Sequence, residues 1–260
     1  MTVSPDFQAA HDAWRAARMA KLTADDGWLN LLGRWVLTPG KTVTIGSAPG
    51  SDIKLEVGPD TLGELTLKDG DTATFEREGE VRTLDRKAGG FAWREGRFLL
   101  EITALNEIRA LRIRDAESAA RDKPPVIDSF PLDPALRITA RWEKQPEPIT
   151  ITMDNMSAIP TQVPVTHVAR LTLAGHEMAL LPTYGSADRP QFVIRDLTSL
   201  DDTYPHMRFI FGEEVTEDSV VIDFNRAVNP PCAFTKHAVC PLPPRENLFP
   251  VRIEAGERRL

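Results

Sequence analysis

Cysteine is scarce in this sequence, and long apolar runs are missing. Cys232 and Cys240 are the only two cysteines in 260 residues, so a framework of disulfide bonds cannot hold the fold together, although one local bridge is possible. The first 22 residues carry charges throughout and contain no apolar run of the kind that a signal peptide or a membrane anchor needs. We therefore expect a cytoplasmic protein without a membrane partner.

The sequence also lacks an excess of positive charge. Its 31 basic residues are outnumbered by 38 acidic ones, the formal net charge is -7, and the two signs are spread along the chain. A protein that binds the phosphate backbone needs clustered positive charge, so we expect no nucleic-acid partner. Walker, Gly-x-Gly-x-x-Gly, His-Glu-x-x-His and Gly-x-Ser-x-Gly motifs are absent as well. No cofactor is therefore expected, and whether the chain is an enzyme stays open.

The order of apolar residues predicts a mainly β protein, with antiparallel sheets in a sandwich or barrel-like arrangement and one N-terminal α-helix. Ser4 and Pro5 are typical of an N-cap and a first helical position, and apolar residues then recur at helical spacing. Short apolar segments separated by Gly, Asp and Pro follow, among them residues 63–67, 137–142 and 149–153, and residues 173–176 predict a hairpin turn. A proline-rich stretch near residues 116–134 suggests a seam. We expect three parts: a helix over residues 1–27, a β subdomain over residues 28–120, and a second β subdomain over residues 121–260.

Residues 44–55 form a glycine-containing segment, Thr-Ile-Gly-Ser-Ala-Pro-Gly-Ser-Asp-Ile-Lys-Leu. This segment is similar to the opening of a forkhead-associated domain, a β-sandwich that reads phosphothreonine. In that family a Ser-x-x-His element follows, and Thr61–Glu64 occupies that place here. The resemblance implies a protein-interaction module. A plain turn between two strands accounts for the same residues, because Gly, Asp and Ser are the residues that turns require.

The C-terminal region carries a more extensive motif. A strand ending in Asp-Phe-Asn leads into Asn-Pro-Pro-Cys-Ala at residues 229–233, then into Cys-Pro-Leu-Pro-Pro at residues 240–244 and Ala-Gly-Glu at residues 255–257. This order resembles the signature of the DUF1684 family, a family of unknown function. Segments near Trp28 and between Arg195 and Arg208 fit the same resemblance, which therefore extends over nearly the whole chain. It implies a related fold and no particular reaction.

Polar side chains surround the double proline of this signature and predict a ligand site. Carboxylates, amides and guanidinium groups on a rigid, proline-bounded loop are suited to holding a small polar or anionic molecule. The alternative is architectural, because Asp and Asn also cap turns and Arg pairs with carboxylates. The eight candidate ligand-binding residues are Asp196, Thr198, Tyr204, Arg208, Asp223, Asn225, Arg226 and Asn229.

Cys232, His237 and Cys240 suggest two further possibilities. Thiolate and imidazole groups bind zinc, but this spacing is unlike that of the usual zinc fingers and a fourth ligand would have to come from elsewhere, so no metal is expected. Buried thiols or a single disulfide explain the two cysteines more simply than a metal site does. A hydrolase-type enzyme that uses an Asp or Cys232 in the same cleft, with or without a metal, is the alternative to ligand binding. The sequence does not determine the oligomeric state.

Overall fold

A computed structural model describes residues 2–260 of the chain, which form two compact units. One unit comprises residues 20–124, and the other joins residues 2–19 to residues 125–260. The first residues of the chain thus associate with the C-terminal half, whereas the sequence pattern predicts a separate helical segment over residues 1–27. The division into subdomains at residues 28–120 and 121–260 remains a prediction.

The N-terminal helix, α1 (Pro5–Thr23), begins where its cap predicts. The backbone N–H of Phe7 donates to the Ser4 hydroxyl over 3.2 Å, which satisfies one of the amides that has no partner within the helix. Within its unit, α1 uses its arginines to contact the C-terminal half: Arg15 donates to the carbonyl of Ile127, and Arg18 pairs with Glu257 at 3.1 Å. Among residues 2–260, no helix is both long and apolar enough to cross a bilayer.

Residues 20–124 form two sheets that share one hydrophobic core, as in a β-sandwich. The four-stranded sheet has the order β1-β9-β8-β7, and the five-stranded sheet has the order β3-β2-β4-β5-β6. All pairings are antiparallel except the short one between β2 and β3. After α1, this unit contains nine strands and one short α-helix: β1 (Leu31–Leu37), β2 (Thr42–Gly46), β3 (Ile53–Lys54), β4 (Gly63–Leu67), β5 (Thr72–Arg77), β6 (Glu80–Asp85), β7 (Ala92–Glu95), β8 (Phe98–Leu105), β9 (Ile108–Asp115) and the one-turn helix α2 (Ala119–Asp122).

Residues 125–260 form one antiparallel sheet of seven strands in the order β12-β11-β10-β16-β15-β14-β13. Its core contains apolar side chains from six of these strands together with Phe249 and Ile253. These two residues belong to the C-terminal segment (residues 248–260), which adds no strand of its own. The strands are β10 (Arg137–Met153), β11 (Thr161–Leu173), β12 (His176–Leu180), β13 (Tyr184–Ser186), β14 (Arg189–Ile194), β15 (Arg208–Glu213) and β16 (Ser219–Asp223).

The observed architecture confirms the predicted fold class, which is mainly β with antiparallel sheets and one N-terminal helix. The tight turn predicted at residues 173–176 joins β11 to β12, and both of its central residues have positive φ, at 49° for Ala174 and 81° for Gly175. Such a turn matches the right-handed twist of the strands on either side. The predicted segments at residues 137–142 and 149–153 are parts of a single long strand, β10.

Candidate functional site

The signature loop, residues 223–234, begins at the end of β16 and contains two short 3-10 turns, Phe224–Arg226 and Pro231–Ala233. Asp223 caps the first turn, because its carboxylate accepts a hydrogen bond of 3.0 Å from the backbone N–H of Asn225. Two prolines precede Cys232, and their fixed φ angles restrict this stretch. The prolines and the capped turn therefore restrict the backbone conformations open to this loop.

Asp196 and Arg208 form a buried ion pair with 2.6 Å between Oδ2 and Nη2, and each side chain is about 1% exposed. Asp196 also accepts hydrogen bonds from the backbone N–H and the hydroxyl of Thr198 and from the N–H of Ile253. Arg208 donates to the carbonyls of Ile253 and Ala255. Because most of their hydrogen-bonding groups face protein atoms, this pair holds the C-terminal segment against the sheet.

The side chains of Asp223 and Asn225 also form hydrogen bonds within the protein. The Asn225 side chain accepts from the backbone N–H of Asp133 and donates to the carbonyl of the same residue, with 2.9 Å for both bonds. Its amide also donates to Asp223 over 2.9 Å. Arg137 and Arg226 lie 3.9 and 3.6 Å from the other carboxylate oxygen of Asp223. These contacts join the signature loop to the chain that leads into β10.

Arg226 and Asn229 are bound to neighbouring side chains and to backbone. Arg226 donates to Glu213 over 2.7 Å, and its guanidinium carbon lies 5.9 Å from the ring centre of Trp14 in α1. The N–H of Asn229 donates to Glu257, its side-chain amide donates to the carbonyl of Arg258, and its own carbonyl accepts from Arg18. The signature loop, α1 and the C-terminal segment are thereby fastened together.

The structure places most of the predicted site residues inside the protein. Six of the eight are at most 3% exposed, and their contacts are with capped turns, backbone carbonyls and paired charges. Tyr204 and Arg226 are half-buried. Most of their polar atoms have partners within the protein, which favours the architectural role, whereas Nε of Arg208, Nε of Arg226 and Oδ1 of Asn229 are buried without a hydrogen-bond partner. A ligand-binding role for these eight residues remains a prediction.

The two cysteines lie side by side as thiols, without a disulfide bond. The N–H of Cys232 donates to Sγ of Cys240 over 3.2 Å, and the Tyr204 hydroxyl donates to the Cys232 carbonyl over 3.4 Å. A hydrogen bond from the Cys240 thiol, assisted by Tyr204, lowers the pKa of Cys232 to about 7. Burial and the same thiols raise the pKa of Tyr204. Cys232 is half-buried, whereas Cys240 is 2% exposed.

The structure does not assemble the candidate zinc ligands. Within residues 2–260, no three His, Cys, Asp or Glu side chains are placed to hold a metal ion together. His237 is half-buried, and burial together with nearby Lys236 lowers its pKa. Cys232, His237 and Cys240 therefore do not form a metal site in this arrangement, although the two cysteines do meet.

A cleft of about 810 Å³ opens over Trp142 in the C-terminal unit, and the sequence pattern gives no sign of it. Trp142 is buried and stacks on the ring of His167, with ring centres 5.0 Å apart and planes inclined by 12°. Burial and the charge of Lys144 lower the pKa of His167, which favours its neutral form. The lining residues are Trp142, Lys144, His167, Ala187, Asp188, Val215, Thr216, Glu217 and Asp218.

A second cleft of about 600 Å³ shares Trp142 and Ala187 with the first, so the two clefts are neighbours. Its wall includes Val163, Pro164 and Tyr184. Burial raises the pKa of Tyr184, and the charge of Cys240 contributes to the same shift. These contacts bring together residues that are distant in sequence, and only a known strand order could have predicted them.

Comparison with known families assigns residues 125–258 to a family. The model of the family described as a protein of unknown function, DUF1684, matches residues 125–258, which is just over half of the chain. This chain belongs to the DUF1684 family. The match contains the signature loop, the Asp196–Arg208 pair and both clefts, so these features lie within the DUF1684 part. The match is to DUF1684 and does not support the similarity of residues 44–55 to a forkhead-associated domain.

Two further comparisons complete this description of the DUF1684 chain. No curated protein matches it. Among solved structures, an uncharacterized protein of Haloarcula marismortui, determined by NMR in solution, is similar to it with 24% sequence identity. That similarity covers 53% of this chain and 78% of the other chain, with a TM-score of 0.43.

Proposed function

We propose that residues 125–260 bind a small polar molecule in the cleft over Trp142. The observation that carries this proposal is the cleft itself, whose volume of about 810 Å³ lies in the usual range for small-molecule sites. A buried aromatic floor with a few polar groups at the rim is the common composition of such sites. The signature loop then serves to hold the sheet that carries the cleft.

The charges of the cleft favour a polar or positively charged ligand over an anionic one. Asp188, Glu217 and Asp218 supply three carboxylates, whereas Lys144 is the one cation among the lining residues. Neutral His167 can donate one hydrogen bond and accept another. An anion would meet repulsion from the carboxylates, so the expected ligand is a neutral, zwitterionic or cationic small molecule with a flat portion that fits against the rings. The net acidity of the chain supports a small-molecule partner over nucleic acid, and a cytoplasmic location stays a prediction.

Thermal unfolding with a compound panel tests this proposal. The panel contains amines, amino acids, sugars, nucleosides and carboxylates, and we expect a neutral, zwitterionic or cationic compound to raise the unfolding midpoint. A ligand present at about 100 times its dissociation constant stabilises the native state by about 2.7 kcal/mol, which thermal unfolding detects readily. If only carboxylates shift the midpoint, or no compound does, the proposal is wrong.

Matched variants locate the bound compound. His167→Ala and Asp218→Asn each remove one group from the cleft, and we expect either change to weaken the ligand-induced shift. His176→Ala is the control, because His176 is exposed on β12 and is not a cleft residue. Equal loss of the shift in the control would show that the compound binds elsewhere.

A second candidate function is a hydrolase-type enzyme with Cys232 as the nucleophile. The lowered pKa of Cys232, together with its half-buried position, favours this alternative, since the thiolate is the reactive form of cysteine. Activated esters such as p-nitrophenyl acetate provide the test. Turnover that continues after the first equivalent and disappears in Cys232→Ser would support an enzyme, whereas acylation that stops at one equivalent would leave only a reactive thiol.

A further inference from the structure

Cys232 and Cys240 stand out because two thiols meet on a constrained loop. Cys232 follows Pro230 and Pro231 in a 3-10 turn, and Pro241 directly follows Cys240. The N–H of Ala233 donates to the carbonyl of Pro230, and the N–H of Thr235 donates to that of Pro231. These bonds hold the connecting segment in a tight return. The two cysteines are therefore held close together, with Sγ of Cys240 beside the backbone of Cys232.

A backbone hydrogen bond and a sulfur–sulfur contact with Met207 describe the surroundings of the two cysteines. Sγ of Cys240 accepts a hydrogen bond of 3.2 Å from the backbone N–H of Cys232. The Cys240 sulfur therefore lies against the backbone of the residue that carries the other thiol. Cys240 is also the largest cause of the lowered pKa of Cys232, which agrees with its position beside that residue. Sγ of Cys232 lies 3.9 Å from the Met207 sulfur, so Cys232 has sulfur neighbours on two sides. A disulfide needs its two cysteines at such close range.

We propose that Cys232 and Cys240 are a redox-active dithiol that reacts with hydroperoxides, in which Cys232 is oxidised first and Cys240 then closes a disulfide. The different burial of the two thiols assigns these roles. Cys232 is half-buried and within reach of a small oxidant, whereas Cys240 is 2% exposed and is reached only from Cys232. This proposal is independent of the ligand in the Trp142 cleft.

The reaction balances as two displacement steps. The Cys232 thiolate attacks the terminal oxygen of a hydroperoxide, so that an S–O bond forms, the O–O bond breaks, and the departing alkoxide or hydroxide takes up a proton. Cys240 then attacks the sulfenic sulfur of Cys232, so that an S–S bond forms, and the hydroxide that leaves takes the thiol proton as water. Two thiols are oxidised by two electrons, and the hydroperoxide is reduced to an alcohol and water. A soluble dithiol reverses the reaction by thiol–disulfide exchange.

The surroundings of Cys232 support its role as the first thiol. Its pKa of about 7 gives a substantial fraction of thiolate at neutral pH, which raises its reactivity toward peroxide. Tyr204 donates to the Cys232 carbonyl and holds this part of the loop in place. Since Cys240 is adjacent, disulfide closure competes with further oxidation of the sulfenic acid.

The test treats the folded, reduced full-length protein with one equivalent of hydrogen peroxide and then blocks the remaining thiols. Trypsin cleaves after Lys236, which separates the cysteines into peptides covering residues 227–236 and 237–245. We expect these two peptides to appear joined by a disulfide, and dithiothreitol to separate them again. Oxidation of methionines with both cysteines still alkylatable would overturn the proposal.

Two variants test the order of events. In Cys240→Ala the disulfide cannot form, so we expect Cys232 to accumulate as a sulfenic acid that dimedone traps, at least tenfold above its level in the wild type. In Cys232→Ala we expect Cys240 to stay reduced under the same dose, because it is buried. Near-ultraviolet circular dichroism confirms that each variant is folded. Rapid oxidation of Cys240 in a folded Cys232→Ala protein would overturn the assigned order.

If either variant fails to fold, the peptide map of the oxidised wild-type protein still decides the question. The wild-type peptide map by itself separates a disulfide from two unreacted thiols. Tyr204→Phe supplies a third, milder change, since it removes one hydroxyl and keeps the ring. We expect it to slow the first oxidation at pH 7 by a factor of about two to ten, because the thiolate fraction falls as the pKa rises. An unchanged rate in Tyr204→Phe would contradict the role given to the hydroxyl.

Discussion

Asp196 and Arg208 are 2.6 Å apart between Oδ2 and Nη2, and both side chains are almost completely buried. Through this pair the turn that follows β14 and the first residue of β15 both contact residues 253–255 of the C-terminal segment. The segment forms no strand, and these side-chain contacts add to the isolated backbone bridges that hold it, such as the one between Arg195 and Leu248. The pair is a structural element of the C-terminal unit.

Removal of one partner of this pair should destabilise the protein strongly. We expect Arg208→Ala to lower the free energy of unfolding by about 3–5 kcal/mol, because it leaves the Asp196 carboxylate buried without its cation. Urea denaturation measures the effect. The control is Arg189→Ala on the exposed side of β14, with an expected change within about 0.5 kcal/mol. An Arg208→Ala protein as stable as the control would contradict the structural role.

Asn225 should not tolerate a negative charge. In Asn225→Asp a carboxylate replaces an amide that donates to Asp223 over 2.9 Å, so two negative charges meet in a buried place. We expect a loss of about 2–4 kcal/mol at pH 7, partly recovered at acid pH as one carboxylate takes up a proton. Asn225→Ser, which is uncharged, should lose stability without that recovery. Urea denaturation at both pH values distinguishes the two outcomes.

Protonation of His11 should weaken the fold. Burial lowers the pKa of His11, and Arg15 and Arg226 add to this effect against the opposing charges of Asp223 and Asp12. The pKa of His11 in the folded protein lies below its unfolded value of 6.5, so His11 does not reduce the free energy of unfolding above pH 6.5. As the pH drops from 6.5 toward the folded pKa, that free energy falls. This one group can contribute up to about 1.4 kcal/mol per pH unit in that window.

Denaturation of His11→Gln between about pH 7.5 and about pH 5.5 measures that contribution. We expect the variant to have a smaller acid loss of stability than the wild type, because it has no proton to bind at this position. The exposed His176→Gln protein serves as the control and should follow the wild type. Identical slopes in all three proteins would rule out His11 as the group responsible.

Alkylation should reveal the unusual acidity of Cys232. We expect iodoacetamide to label Cys232 in the folded protein with a rate that rises through a midpoint near pH 7, whereas an ordinary cysteine titrates at about pH 8.5. The groups around the thiol are Cys240 and Tyr204, with His206 against the tyrosine ring. Cys240→Ala should move the midpoint upward, as measured by mass spectrometry of the labelled peptide. A wild-type midpoint above pH 8 would contradict the proposed hydrogen bonds.

Gly256 should be far less replaceable than another glycine with the same backbone conformation. Its φ is +77°, and an added Cβ would lie 2.5 Å from the Ala227 carbonyl oxygen. Gly40 has a φ of +78° with open space around it. We expect Gly40→Ala to cost about 1 kcal/mol from backbone strain alone, and Gly256→Ala to cost about 2 kcal/mol more because the C-terminal segment must move. Equal losses on urea denaturation would contradict the close approach.

Local patterns predicted much of the secondary structure correctly. The segment at residues 63–67 coincides with β4, and the Ser4 cap begins α1. Both depend on residues that are close in sequence, where side-chain alternation and a single capping hydroxyl decide the outcome. The short strands β3, β6, β7 and β13 were not predicted. Such strands contain few apolar positions and owe their conformation to pairing with neighbours.

By itself the sequence determined the fold class, the rigid signature loop and the polar residues around it, because apolar periodicity, proline geometry and residue chemistry are local properties. Only the tertiary structure decided what those polar residues contact. Asp196 meets Ile253 and Asn225 meets Asp133 across long stretches of chain, and nothing local specifies such partners. The same holds for the meeting of the two thiols and for the cleft over Trp142, since both depend on where distant segments return to the sheet.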